Sequence, residues 1–181
     1  MEIKKYTQTV EEGLKALKLH TAEVPTLYEP IRYTLDGGGK RLRPVLAMMA
    51  CEALGGTVEE ALSPALGIEV FHNFTLLHDD VMDRSDMRRG RPTVHACWDE
   101  NTAILSGDAM LTLATMLVSE VDDNILARVL KAFNKGAMDV YEGQALDMDF
   151  EQRSDVTLPE YINMISLKTG ALLATALKIG A

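Results

Sequence analysis

His72, Asp79, Asp80 and Asp83, followed at once by Arg88 and Arg89, form the densest run of chemically capable side chains in the sequence. An α-helix turns about 100° per residue, so His72, Asp79 and Asp83 project within roughly 40° of one another along one stripe, with Asp80 on its shoulder. Asp79 and Asp83 stand one turn apart. At that spacing two carboxylates hold Mg²⁺, a hard ion that prefers oxygen ligands and keeps its other positions for water and phosphates. Arg88 and Arg89 supply planar, permanently charged forks suited to phosphate oxygens, and Gly90 with Pro92 marks the end of the helix. The pattern points to metal-bridged diphosphate chemistry. Charge runs at helix ends are commonly solvated caps worth little. Here the apolar stripe Ala61, Leu62, Leu66, Val70, Phe74, Leu77 and Val81 runs beside the acids, so the carboxylates border a core and need a partner.

A second positive element comes earlier, where Asp36-Gly37-Gly38-Gly39-Lys40-Arg41-Leu42-Arg43-Pro44 joins a glycine turn to a helix entrance. Consecutive glycines let backbone approach an anion, and a helix N-terminus adds donors and positive dipole. The nucleotide-binding spacing Gly-x-x-x-x-Gly-Lys-Ser/Thr is absent and no parallel-sheet pattern surrounds the turn, which excludes a nucleotide triphosphatase of that kind.

The elements that must carry these groups are helices. Periodicity predicts them near 4–19, 25–35, 43–54, 59–83, 101–120, 123–152 and 159–181. Breaks fall at Gly37 to Gly39, Gly55-Gly56, Arg89 to Thr93, Asp122 to Asn124 and Ser154 to Pro159. No alternation of period two persists, and there is no repeat, proline-rich linker or low-complexity tract. The expected fold is all-α, a single domain over 1–181 whose bundle encloses a central cavity lined by the acid stripe.

With Gly143-Gln144-x-x-Asp147 and Lys168-Thr169-Gly170 added, the motifs fall in a specific order: Gly38-Gly39-Lys40-x-x-Arg43-Pro44, His72, Asp79-Asp80-x-x-Asp83, Arg88-Arg89-Gly90 and then these two. In this the chain resembles the trans-isoprenyl diphosphate synthases, the polyprenyl synthetase family that includes farnesyl and geranylgeranyl diphosphate synthases. The likeness runs from about residue 33 to residue 169 and implies an isoprenoid synthase-type bundle. It implies a prenyltransferase that joins isopentenyl diphosphate to dimethylallyl, geranyl or farnesyl diphosphate by ionisation, condensation and elimination. Lys40, Arg43, His72 and Arg89 would bind the isopentenyl diphosphate. Asp79, Asp83 and Asp80 would hold Mg²⁺ or Mn²⁺ against the allylic diphosphate, with Arg88 and Lys168 adding charge. Gln144, Asp147, Thr169 and the Lys168 carbonyl would lie near the carbocation. The resemblance also implies a homodimer, with 101–120 a candidate interface.

Phe74 and Phe71 lie five and eight residues before Asp79, so both should point down the helix, where a growing prenyl tail would run. Resemblance makes Phe74 a floor that limits product length. With small Thr75 beside it and no insertion in the acid motif, a geranylgeranyl product is expected over farnesyl, within C15 to C20. One departure stands out. The family's second Asp-rich motif is missing before Ala181, and the strongly apolar stretch from Ala171 onward reads as the start of a helix meant for a larger core. The chain is therefore expected to be an amino-terminal portion, inactive alone.

Composition agrees with a helical protein: 47% hydrophobic and 25% charged residues, 6% aromatic, and ten methionines suited to helix packing. A net charge of −9 argues against nucleic-acid partners, since backbone binders are basic overall. Cys51 and Cys97 make neither a disulfide framework nor a CxxC pair, so a reducing, cytoplasmic setting is expected. The start at Met1, Glu2 and Ile3 lacks the apolar core of a signal peptide, and no apolar run is expected to span a membrane. Two rivals from other classes deserve weight. His78-Asp79, with His72 and Asp147 as conceivable further ligands, is the dyad of a helical HD-type metal phosphohydrolase. A non-catalytic diphosphate-binding partner subunit would also tolerate the missing motif. A terpene cyclase shares the acid motif but needs no site at Lys40 and Arg43.

Overall fold

The computed structural model describes residues 3–181, so Met1 and Glu2 of the amino-terminal segment read above lie outside it. Its helices are α1 (Ile3–Ala16), α2 (Pro25–Leu35), α3 (Leu42–Ala53), α4 (Val58–Met82), α5 (Val94–Cys97), α6 (Glu100–Val118), α7 (Asp123–Glu151), α8 (Leu158–Ile165) and α9 (Ala171–Gly180). A π-helical turn, Ser166–Gly170, joins α8 to α9.

Helix α4 is the centre. Thr57 and Glu60 start it with a reciprocal capping box. Its residues then bury on nearly all sides, as a helix apolar around its circumference must. Helices α3 and α6 flank α4, α9 lies on α3, and α7 packs against α9 and the π turn. Val10, Ile31, Met48, Ile68, Phe71, Met110 and Phe133 are among the side chains sealing the core between them.

Three sequence expectations need correction. The helix drawn over 159–181 is broken by the π turn, whose one extra residue shifts the facing of α9 relative to α8. The break at 89–93 is a small antiparallel hairpin, β1 (Met87–Arg88) on β2 (Arg91–Pro92), too short for alternation to register. Two helical stretches, Glu100–Val118 and Leu158–Gly180, are long and apolar enough by length and composition to cross a membrane, although no such run was expected. In the first, Ala103, Gly107, Met110 and Ala114 are buried inside the bundle, against α2 and α4, and an apolar core helix meets the same criterion.

Candidate active site

Helix α4 separates two cavities. The larger, about 210 Å³, lies between α4, α7 and the π turn. Arg43, His72 and Asp79 line it together with Gln144, Lys168 and Thr169, while Phe74, Thr75, Val140, Tyr141 and Leu172 give it apolar wall. The smaller, about 60 Å³, lies between α4, the glycine turn and the hairpin. Asp80, Arg88 and Arg89 line that one, with Tyr33, Asn73 and Arg91.

Asp79 is the most informative side chain. Its Oδ1 is buried and accepts no hydrogen bond, with the Lys168 ammonium 3.8 Å away. Its Oδ2 meets Arg88 Nη2 at 3.4 Å. Burial pushes the Asp79 carboxyl above the usual carboxylate range; Lys168 and Arg88 oppose the shift, and Asp83 and Asp147 add to it. A bare, buried carboxylate oxygen is costly unless a partner arrives. Across the cavity Lys168 Nζ also donates to Asp147 Oδ2 at 2.5 Å, so one ammonium links α7 to α4.

Asp80 turns the other way. It is buried and accepts from Arg88 Nε at 2.6 Å, so its carboxylate faces the smaller cavity and is already paired. Asp83 ends α4 and is exposed, as is Lys40 on the glycine turn. Among the described residues no three His, Cys, Asp or Glu side chains gather closely enough to hold a metal alone. The residues nonetheless fit a hard divalent ion of the Mg²⁺ type. Such an ion takes one or two carboxylates and completes its shell with water and substrate phosphates, and the bare Asp79 oxygen, with Asp83 one turn on, is that kind of partial donor set.

The expected anion-binding groups are divided, Arg43 and His72 on the larger cavity and Arg89 on the smaller, and the glycine turn contacts Arg89. Gly38 and Gly39 have φ of +70° and +155°, open to glycine alone at little cost. Arg89, carried by the hairpin, donates to the Gly38 carbonyl, and a side chain at Gly39 would press on its guanidinium. Arg43 is half-buried with its Nε unpartnered, and burial pulls its pKa below the usual guanidinium value. His72 is lowered to about 3, first by burial and then by Arg43 and Arg89, so its imidazole is neutral near pH 7.

Phe71 does not line the cavity. It is fully buried behind Phe74, packed on the rings of Phe74, Phe133 and Tyr141 at 5.5, 5.3 and 5.9 Å. Tyr141, overlooked in the sequence, stands opposite Phe74 with ring centroids 6.3 Å apart, and burial pushes its hydroxyl pKa up to about 12. It precedes Gln144 by three residues, one helical turn, which is the signal that would have found it. His78 Nε2 donates to the Ile104 carbonyl at 3.1 Å and lies 3.9 Å from Asp108, so the ring is committed to α6 rather than to a shared metal with Asp79. That geometry disfavours the phosphohydrolase reading.

The polyprenyl synthetase family model matches residues 24–181. The chain is 45% identical to a geranylgeranyl diphosphate synthase of Methanosarcina mazei, over 99% of this chain and 56% of that protein. It is 42% identical to a geranylfarnesyl diphosphate synthase of Natronomonas pharaonis, over 86% of this chain and 51% of that one. The crystal structure of a geranylgeranyl pyrophosphate synthetase from Pyrococcus horikoshii superposes with a TM-score of 0.92 at 41% identity, covering 98% of this chain and 55% of that structure. The chain thus spans about half the length of the curated relatives it matches.

Proposed function

Since the chain belongs to the polyprenyl synthetase family, we propose that the protein it forms part of condenses isopentenyl diphosphate with an allylic diphosphate to give a longer all-trans prenyl diphosphate. The observation that carries the reading is the bare Asp79 oxygen, held beside Lys168 and Arg88 at a cavity that also presents the apolar side chains of Phe74, Val140, Tyr141 and Leu172. A charged head and a greasy tail would both find their complement there.

In this mechanism Asp79 and Asp83 are the residues that would hold Mg²⁺ or Mn²⁺ at the allylic diphosphate site. Such an ion would supply Lewis-acid stabilisation of the negative charge that gathers on the departing diphosphate. Lys168 and Arg88 take the oxygens of that diphosphate as its carbon–oxygen bond breaks and the electron pair leaves with it. Arg43, Lys40 and Arg89 bind the other substrate's diphosphate, and neutral His72 contributes one N–H donor. The alkene's π electrons then form the new carbon–carbon bond, and the departed diphosphate accepts the proton lost to restore a double bond. The amide oxygen of Gln144 and the hydroxyl of Thr169, both on the cavity wall, offer dipoles that favour positive charge without a strong nucleophile to trap it. Positioning and charge carry the catalysis.

Phe74 and Tyr141 together would form the floor, which supports a product within C15 to C20, geranylgeranyl diphosphate foremost. Ile104, Leu105 and Met116 leave α6 an exposed apolar face, which supports a homodimer through that helix. The test is incubation of the full-length gene product with labelled isopentenyl diphosphate, geranyl diphosphate and Mg²⁺, followed by chromatography of the prenyl chains. Elongated chains are expected; release of diphosphate without elongation would overturn the reading.

A further inference from the structure

Beneath the glycine turn lies a buried ion pair that the diphosphate chemistry above does not use. Arg41 sits between Lys40 and Arg43 with its side chain wholly enclosed and its backbone left-handed, φ +48°. Its Nε donates to Glu11 Oε1 at 2.7 Å, its Nη1 to Glu69 Oε1 at 2.9 Å and its Nη2 to the Leu35 carbonyl at 2.8 Å. Glu69, on α4 and itself buried, also accepts from Asn73 Nδ2 at 3.2 Å. A left-handed arginine with an enclosed charge is expensive twice over, in backbone strain and in desolvation.

The pair's place in the fold gives it another use. Glu69 precedes His72 by one helical turn, and Arg41 lies within two residues of both Lys40 and Arg43. One contact therefore ties the turn and the start of α3, which carry Lys40 and Arg43, to the helix that carries His72. Glu69 also opposes the burial-driven lowering of the Arg43 pKa, so its charge is felt there as well.

We propose that Arg41 and Glu69 are positioning residues: their buried pair sets the spacing of Lys40, Arg43 and His72 and so the affinity for the diphosphate of the alkene substrate, without touching it. The proposal rests on the prenyl-transfer reading. A guanidinium suits the task because its planar fork, spread over Glu11, Glu69 and the Leu35 carbonyl, fixes direction as well as distance, which a lysine cannot reproduce.

The test uses the full-length protein as wild type, Arg41→Lys, and the paired Arg41→Met with Glu69→Met, which removes both charges together so that neither is stranded. Binding of isopentenyl diphosphate alone is followed by calorimetry, without metal or allylic substrate, and KM is measured for each substrate separately. The paired variant is expected to bind isopentenyl diphosphate at least tenfold more weakly, with a matching rise in its KM, while KM for the allylic diphosphate stays within twofold. Arg41→Lys should show a several-fold loss in the same direction, and it carries the test if the paired variant folds poorly. Unchanged isopentenyl diphosphate binding in a folded variant would overturn the proposal. So would an equal rise of both KM values with a lowered melting temperature, the mark of a purely structural pair. A wild type that binds isopentenyl diphosphate yet makes no longer chain would instead remove the prenyl-transfer reading, leaving the binding comparison to judge the pair.

Discussion

Asp79 carries its charge at a burial cost that Lys168 and Arg88 only partly offset. Its folded pKa is raised, so the folded state holds the proton more tightly than the unfolded chain, and stability falls as pH rises through the window between the two values. At neutral pH the carboxylate is therefore a net burden on the fold. Asp79→Asn in the full-length protein should leave the melting temperature unchanged or raise it, while turnover drops about a hundredfold or more. Near-wild-type turnover would remove Asp79 from the metal site. His72 has the opposite sign. Its folded pKa is lowered from 6.5 to about 3, so the unfolded chain binds the extra proton and stability is lost as pH falls below 6.5. At pH 5 that loss is about 2 kcal/mol. His72→Gln should lose correspondingly less stability than wild type between pH 7 and pH 5 in urea titrations. Equal losses in the two proteins would show that His72 titrates normally.

At the scale of elements, the sequence specifies most of what is seen. The acid stripe lies on one long helix, the glycine turn leads into α3, and α1 to α4, α6 and α7 start and stop within a few residues of the periodic pattern, whereas the single-turn α5 (Val94–Cys97) was not foreseen. What it did not reveal has local causes. The hairpin has two residues per strand, below any periodicity, and its role is to carry Arg88 and Arg89 back over α4. Helical angle sets Asp80 about 100° from Asp79, but that Asp80 is already paired depends on Arg88, eight residues on, which periodicity does not show. The π turn is silent because an extra residue in one turn leaves composition untouched. Its counterpart is Gly143, where a side-chain carbon would collide with the backbone of Lys168. Gly143→Ala should therefore displace the π turn, costing about 1–3 kcal/mol as overpacked positions do and lowering turnover through Lys168. A stable Gly143→Ala protein with full activity would show that the close crossing has no part in placing that ammonium.

For the molecule as a whole, cavity depth is the property that would select the product. Phe74 and Tyr141 meet across the larger cavity, with Phe71 and Phe133 stacked behind them. Phe74→Ala should shift the product toward chains longer by one or more five-carbon units, read by chromatography. Because a buried Phe→Ala change can cost about 3–5 kcal/mol, Phe74→Leu serves as the milder comparison. An unchanged product from a stable variant would take Phe74 out of that role. The gene product that contains this chain would be the form to test, since relatives at 41 to 45% identity are nearly twice as long.

The 25 residues of α4 make a single rod about 37 Å long. His72, Asp79 and Asp80 are all fixed to it, and Arg41 and Arg88 are bonded to it from the turn and the hairpin. His72, Asp79 and Asp80 therefore keep fixed spacings along one element. In the proposed prenyl transfer, motion of the surrounding helices would then change access to the two cavities more than the separation of the groups fixed to α4, so substrates could enter and products leave without loosening the spacing that the reaction needs.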